Sequence, residues 1–188
     1  MKNSKEIVDE VMSLYALHGN EDYIGEPVSQ IEHMSQSAEL AMRGGYDDEV
    51  ILAAFFHDIG HLCAINDPSM NMGGYGVMRH EKIGADFLRS MGFPERVAKL
   101  VENHVQAKRY LTCKYPDYYN NLSEASKKTL EFQGGVMSKE EADAFEADPL
   151  FDLSIIMRKW DEEAKIEDIP VMDTQFIREK CMLVLNKK

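Results

Sequence analysis

Apolar residues recur along this chain at intervals of three and four, in blocks closed by glycine or proline. That spacing lines one face of an α-helix, whereas the strict alternation of a half-buried strand is almost absent. Polar punctuation marks where helices start and stop. Ser29-Gln30-Ile31-Glu32 reads as a capping box, and Gly44-Gly45 ends the helix it opens. Asp47-Asp48-Glu49 places acids at the positive end of the next helix, which carries VILAAFFHDIGHLC. His80 to Met91 reads as a helix stopped by Gly92, and Pro94 suits the first position of the helix PERVAKLVENHVQAKRYL. Further helices are predicted from Ser123 to Gly134-Gly135, from the capping box at Ser138 to Glu141, from Pro149 through LFDLSIIMRKWDEEAK, and from Asp173 through VLNK. Two stretches remain as loops: Ala64 to Val77, rich in Gly, Asn and Met, and Lys114 to Leu122, rich in Tyr and Asn. The pattern predicts an all-α bundle of about eight or nine helices.

Composition narrows the setting. The 188 residues suit one domain over 1–188, with a hydrophobic fraction of 44% and a charged fraction of 29%. No apolar run approaches the ~20 residues of a membrane span, and MKNSKEIVDEVMSLYALHG lacks the shape of a signal peptide. A cytoplasmic protein without a membrane partner is expected. A formal net charge of −12 argues against nucleic acid as a partner, since that needs a basic surface. It leaves room for a small anionic substrate in a local basic pocket. Cys63, Cys113 and Cys181 form no CxxC pair and read as reduced thiols.

The chemistry begins at FFHDIGH, Phe55 to His61. An apolar helix that finishes in ionisable groups must pair them or give them to a metal. His57 and His61 are four apart and share a face, with Asp58 beside them. This suits metal ligation, and a salt-bridged histidine pair is the alternative. Three more histidines, His33, His80 and His104, lie on other predicted helices, and Asp161 follows Trp160 on a further one. His18 sits before Gly19 at a helix end, where an imidazole favours the dipole, and is set aside. Lys108 lies four residues after His104 and Arg158 three before Asp161. Each cation is thus one turn from a candidate ligand. Ser126 and Thr129 could add hydroxyl donors.

The order His33, His57-Asp58, His80, His104, Asp161 resembles the HD-domain superfamily in its version with two extra histidines. The resemblance implies a dinuclear site at the centre of a helical bundle: His33, His57 and Asp161 on one ion, His80 and His104 on the other, Asp58 bridging. Such sites serve phosphohydrolases as well as O2-dependent oxygenases. DYIGE before His33, GGYGVMRHEKIGADFLRSMGF around His80, HVQAKRYL, LSEASKKTLEFQGG and RKWDE resemble the PhnZ-type phosphonate oxygenases, over roughly Asp22 to Ala164. That family resemblance implies two iron ions, Fe(II)/Fe(III), O2 as co-substrate, and oxidative cleavage of the C–P bond of 1-hydroxy-2-aminoethylphosphonate or an N-methylated relative. It implies a lid made by Tyr23 and Glu26, with Glu26 also able to pair with the substrate's ammonium, and a phosphonate contact from His61. The catalytic set expected is Asp58, Lys108 and Arg158. Met70, Met72 and Met78 in a loop whose single acid is Asp67 lean the head group towards trimethylammonium, with glycine betaine rather than glycine as product. The alternative is a dinuclear phosphohydrolase acting on a phosphate ester or nucleotide.

Overall fold

A computed structural model describes residues 2–23 and 25–187; Ile24 of the DYIGE stretch lies outside the described residues. Eleven α-helices and no strand occur among them. They are α1 (Ser4–His18), α2 (Gln30–Arg43), α3 (Asp48–Phe56), α4 (Ile59–Cys63), α5 (His80–Ser90), α6 (Glu95–Lys114), α7 (Pro116–Asn121), α8 (Glu124–Phe132), α9 (Lys139–Glu146), α10 (Phe151–Glu163) and α11 (Thr174–Asn186). The bundle is the all-α architecture that the spacing predicts, with two elements more.

The first extra element comes from a break. VILAAFFHDIGHLC is not one helix: His57 and Asp58 interrupt it, Asp58 at φ −105° and ψ 10°, so α3 and α4 are separate. The break turns Asp58 away from the helix surface and towards the centre of the molecule. The second is α7, a short helix opened by Pro116 inside the expected Lys114 to Leu122 loop. Both capping boxes form, at Ser29/Glu32 and at Ser138/Glu141, and Asn3/Glu6 adds a third.

The main core gathers α1, α2, α3, α5, the first half of α6, α10 and α11 around Met34, Leu52, Phe55, Phe56, Leu88, Leu100, Met157 and Ile177. Seven consecutive residues of α3, Val50–Phe56, are buried, which fits a helix enclosed by neighbours on every side. A smaller cluster, Tyr110, Leu111, Met137, Ala142 and Phe145, holds α9 against the far end of α6. Helices α4 and α5 cross at backbone contact: a Cβ on Gly60 would lie 1.9 Å from the His80 carbonyl oxygen. That approach brings the α3–α4 break next to the start of α5.

Candidate metal centre and substrate cavity

His33 on α2, His57 and Asp58 at the α3–α4 break, His80 at the start of α5, His104 in α6 and Asp161 in α10 are all buried, none more than 3% exposed. Each imidazole is held by a carbonyl: His33 Nδ1 donates to Ala164 (2.8 Å), His57 Nδ1 to Ala54 (2.8 Å), His80 Nδ1 to Val77 (3.1 Å) and His104 Nδ1 to Val101 (2.6 Å). With the proton on Nδ1, the Nε2 lone pair of each ring faces inward. Yet His33 Nε2 and His57 Nε2 stand 3.0 Å apart, and His80 Nε2 and His104 Nε2 3.1 Å apart. Two lone pairs tolerate that distance only with a proton or a cation between them.

The carboxylates complete two groups. Asp58 Oδ2 lies 3.6 Å from His33 Nε2 and 3.4 Å from His57 Nε2, while Asp161 Oδ1 lies 3.5 and 3.9 Å from the same atoms. The other oxygen, Asp58 Oδ1, lies 3.2 Å from His80 Nε2 and 3.3 Å from His104 Nε2. Donors at about 2.0–2.1 Å from one cation stand about 2.9–3.4 Å apart at right-angled to tetrahedral geometry, close to these values. Asp58 Oδ2 and Asp161 Oδ1 are buried with no hydrogen-bond partner among the described residues, a cost that a metal would remove. The residues present therefore fit a metal site. Burial pushes the Asp58 carboxyl up, but the surrounding imidazoles prevail and hold it well below the usual range. Burial likewise pushes His57 down, yet the Asp58 charge outweighs it and sets that imidazole at about 9.

His61 also lies near Asp58 and His80, within reach of a shared ion. Its bonding excludes that role. Nδ1 accepts the Val77 N–H at 2.9 Å, so the neutral ring carries its proton on Nε2. Burial holds it well below its ordinary pKa, and it stacks on His80 at 4.0 Å. Gly76 fits against this ring: a Cβ there would meet His61 Cε1 at 2.6 Å, and its φ is +98°.

A small cavity of about 50 Å³ opens beside the carboxylates, lined among others by Tyr23, Glu26, His61, Lys108, Ser126, Thr129 and Arg158. All the substrate-contact candidates of the sequence thus reach one space. Lys108 is 2% exposed and has no carboxylate partner among the described residues; Nζ donates to Thr129 Oγ1 (2.7 Å) and Gln133 Oε1 (2.9 Å). Burial pulls its pKa down strongly, and the Arg158 charge adds to that. A buried ammonium beside a guanidinium is built for an anion. Arg158 Nη1 donates to Asp161 Oδ2, Nε to Tyr118 Oη and Glu162 Oε1 at 2.9 Å each, and Nη2 to Ser126 Oγ at 3.4 Å. Thr129 has a different place from the free donor expected of it: its hydroxyl accepts from Lys108 and donates to the Ser126 carbonyl (3.2 Å). Tyr23 stacks on His33 at 4.1 Å, and Glu26 Oε1 accepts from Ser123 Oγ and Lys165 Nζ at 2.6 Å each.

Sequence reasoning missed Gln30, Tyr75, Gln133 and Lys165 on the cavity wall, and Tyr118 and Glu162 behind Arg158. Only helical spacing offered a signal: Gln30 precedes His33 by three and Lys165 follows Asp161 by four.

The HD domain family model matches residues 31–151. Over 171 residues, the chain is 39% identical to a [1-hydroxy-2-(trimethylamino)ethyl]phosphonate dioxygenase (glycine-betaine-forming) of Leisingera caerulea, covering 91% of this chain and 86% of that one. It is 38% identical over 175 residues to a hydroxymethylphosphonate dioxygenase of Gimesia maris, covering 92% and 86%. An uncharacterized protein of Acanthamoeba polyphaga mimivirus is 48% identical over 159 residues, covering 85% and 73%. Family match, helical bundle and histidine–aspartate centre agree: the chain belongs to the HD domain family and, within it, to the PhnZ-like oxygenases.

Proposed function

We propose that the protein is an O2-dependent dioxygenase that cleaves the C–P bond of a 1-hydroxy-2-aminoethylphosphonate, with two iron ions, Fe(II)/Fe(III), as resident metals. The observation that carries this reading is the pairing of one shared carboxylate, Asp58, with a cationic cavity at its side. His33, His57 and Asp161 would hold one ion and His80 and His104 the other. Bound iron would supply the redox capacity for O2, which no side chain of the cavity has. Both named relatives act, by their names, on phosphonates, and both are called dioxygenases.

The side chains account for binding and charge. Lys108, Arg158, Ser126 and the Nε2 proton of His61 face the phosphonate, and the two cations offset charge as phosphate develops. Arg158 is fixed by Tyr118, Glu162 and Asp161, so its Nη2 edge needs no reorientation on binding. Tyr23 and Glu26 close the mouth of the site. A C–P bond has no good carbon leaving group for simple hydrolysis; oxidation at C1 creates one. The C1–H and C–P bonds break, one O2 is consumed, and each product gains one oxygen atom: the carbon as carboxylate, phosphorus as phosphate. With an aminoethyl skeleton the carbon product is glycine, or glycine betaine where nitrogen is trimethylated. Of the three methionines that lean towards the methylated form, Met72 reaches the cavity.

The test is iron-loaded protein, O2 and the hydroxyphosphonate, with inorganic phosphate as readout. Phosphate release that stops under anoxia supports the oxygenase. Release that persists under anoxia with Mn or Mg makes the site a phosphohydrolase and overturns the proposal.

A further inference from the structure

Apart from the two carboxylate oxygens of the candidate metal centre, one buried side-chain polar atom of the residues that line the cavity stands without a partner among the described residues, and it belongs to Gln30. Gln30 lies on the first turn of α2, one turn before His33, and is 6% exposed. Its Nε2 donates to the Asp22 carbonyl at 3.5 Å. Only the nitrogen of an amide can donate to a carbonyl, so this contact fixes which way the group points. Oε1 is then buried with no hydrogen-bond partner among the described residues. A buried acceptor left unmade is costly, and this one belongs to a residue that lines the substrate cavity.

Glu26, four residues earlier, shares the cavity, but its charge is already matched. Lys165 Nζ and Ser123 Oγ both bind its Oε1. An incoming ammonium meets a carboxylate that already has a cation. On this side of the cavity the second Glu26 oxygen and Gln30 Oε1 remain as acceptors. The aromatic ring nearest these groups is also committed: Tyr23 stacks on His33, and Lys165 Nζ lies over it at 5.8 Å, which leaves Tyr75 as the other tyrosine on the cavity wall. A trimethylammonium group needs open aromatic faces and has no N–H to give. Seated here, it would leave Gln30 Oε1 buried and unpaired.

We propose that Gln30 is a specificity-determining residue whose amide oxygen accepts an N–H of the substrate head group, so that this chain takes hydroxyphosphonates with a primary ammonium in preference to trimethylated ones. The proposal rests on the functional reading above and refines its substrate class. It reverses the lean that the methionines gave.

The experiment measures kcat/KM for phosphate release from 2-amino-1-hydroxyethylphosphonate and from its N-trimethyl counterpart, with anoxic calorimetric binding of each to the iron-loaded protein. The expected preference for the primary amine is about tenfold or more, the worth of one hydrogen bond to a charged group. Gln30→Leu, which removes the acceptor, should collapse that ratio towards one. Gln30→Glu, which keeps an acceptor and adds charge, should hold or raise it. A general disturbance of α2 would move both variants in the same direction, and that result overturns the role of Gln30. So does a wild-type protein that handles the trimethylated compound equally well or better. If neither phosphonate binds or releases phosphate, the functional reading falls and takes this inference with it; phosphate release with an unchanged ratio removes the inference alone.

Discussion

Asp58 is the residue on which the centre turns, because its two oxygens face two different imidazole pairs. Asp58→Ala should lower the iron content of the purified protein as well as abolish O2-dependent phosphate release. Full iron occupancy in the variant would refute the bridging role. Arg158 makes a second residue-scale prediction. Its guanidinium spans Asp161, Tyr118, Glu162 and Ser126 at once, and an ammonium cannot reproduce that fork. Losing one or two charge-assisted bonds at about 1.5–3 kcal/mol each should raise KM for the phosphonate at least about tenfold in Arg158→Lys, measured by initial rates of phosphate release. The candidate ligands stood out at this scale because histidine and aspartate are costly in apolar company unless something binds them. Gln30 and Lys165 did not, since a glutamine after a cap and a lysine just past an acidic helix end look like ordinary surface.

At the scale of elements, two contacts position the centre. Gly60 lets α4 touch α5: its Cβ position is 1.9 Å from the His80 carbonyl oxygen and 2.9 Å from the Gly84 nitrogen, both backbone atoms that cannot swing aside. Gly60→Ala should therefore cost about 1–3 kcal/mol or more and displace His80 from Asp58, seen as a lowered melting temperature together with reduced metal content. The capping box of α2 gives a milder case. Ser29 and Glu32 satisfy each other's N–H groups, and Ser29→Ala should cost about 1 kcal/mol, or about 2–4 °C in melting temperature for a chain of this length. The Ser29 N–H and hydroxyl hold the Glu32 carboxyl below its ordinary 4.5. A depressed folded-state pKa stabilises above the unfolded value and loses that contribution as pH falls through the folded one. The gap between wild type and Ser29→Ala should narrow in acid. This box was readable from Ser-x-x-Glu alone, because a cap is made by neighbours in sequence. The α3–α4 break was not, because nothing local in AAFFHDIGH stops a helix; convergence on Asp58 does.

For the molecule as a whole, the metal-binding reading links the centre to stability. Four helices, the α3–α4 break and the Ala164 carbonyl meet at these ligands. A metal that binds only the folded chain stabilises it by mass action, about 2.7 kcal/mol at a hundredfold excess over Kd. Chelation should therefore lower the melting temperature by about 5–10 °C, and iron should restore it; an unchanged melt after complete metal removal would contradict a metal that ties these elements together. Taken by itself, the sequence determined the helical class and most helix boundaries, because periodicity and caps are local facts about the chain, and it offered the six candidate ligands through the order of histidines and aspartates that resembles the HD-domain pattern. Only the tertiary structure decided which oxygen of Asp58 faces which imidazole pair, that His61 Nδ1 is taken by the Val77 N–H, that Thr129 serves Lys108, and that Glu26 is met by Lys165 while Gln30 is left waiting. Those outcomes depend on distances between residues up to 139 positions apart, and no local pattern encodes how far apart two such side chains come to rest.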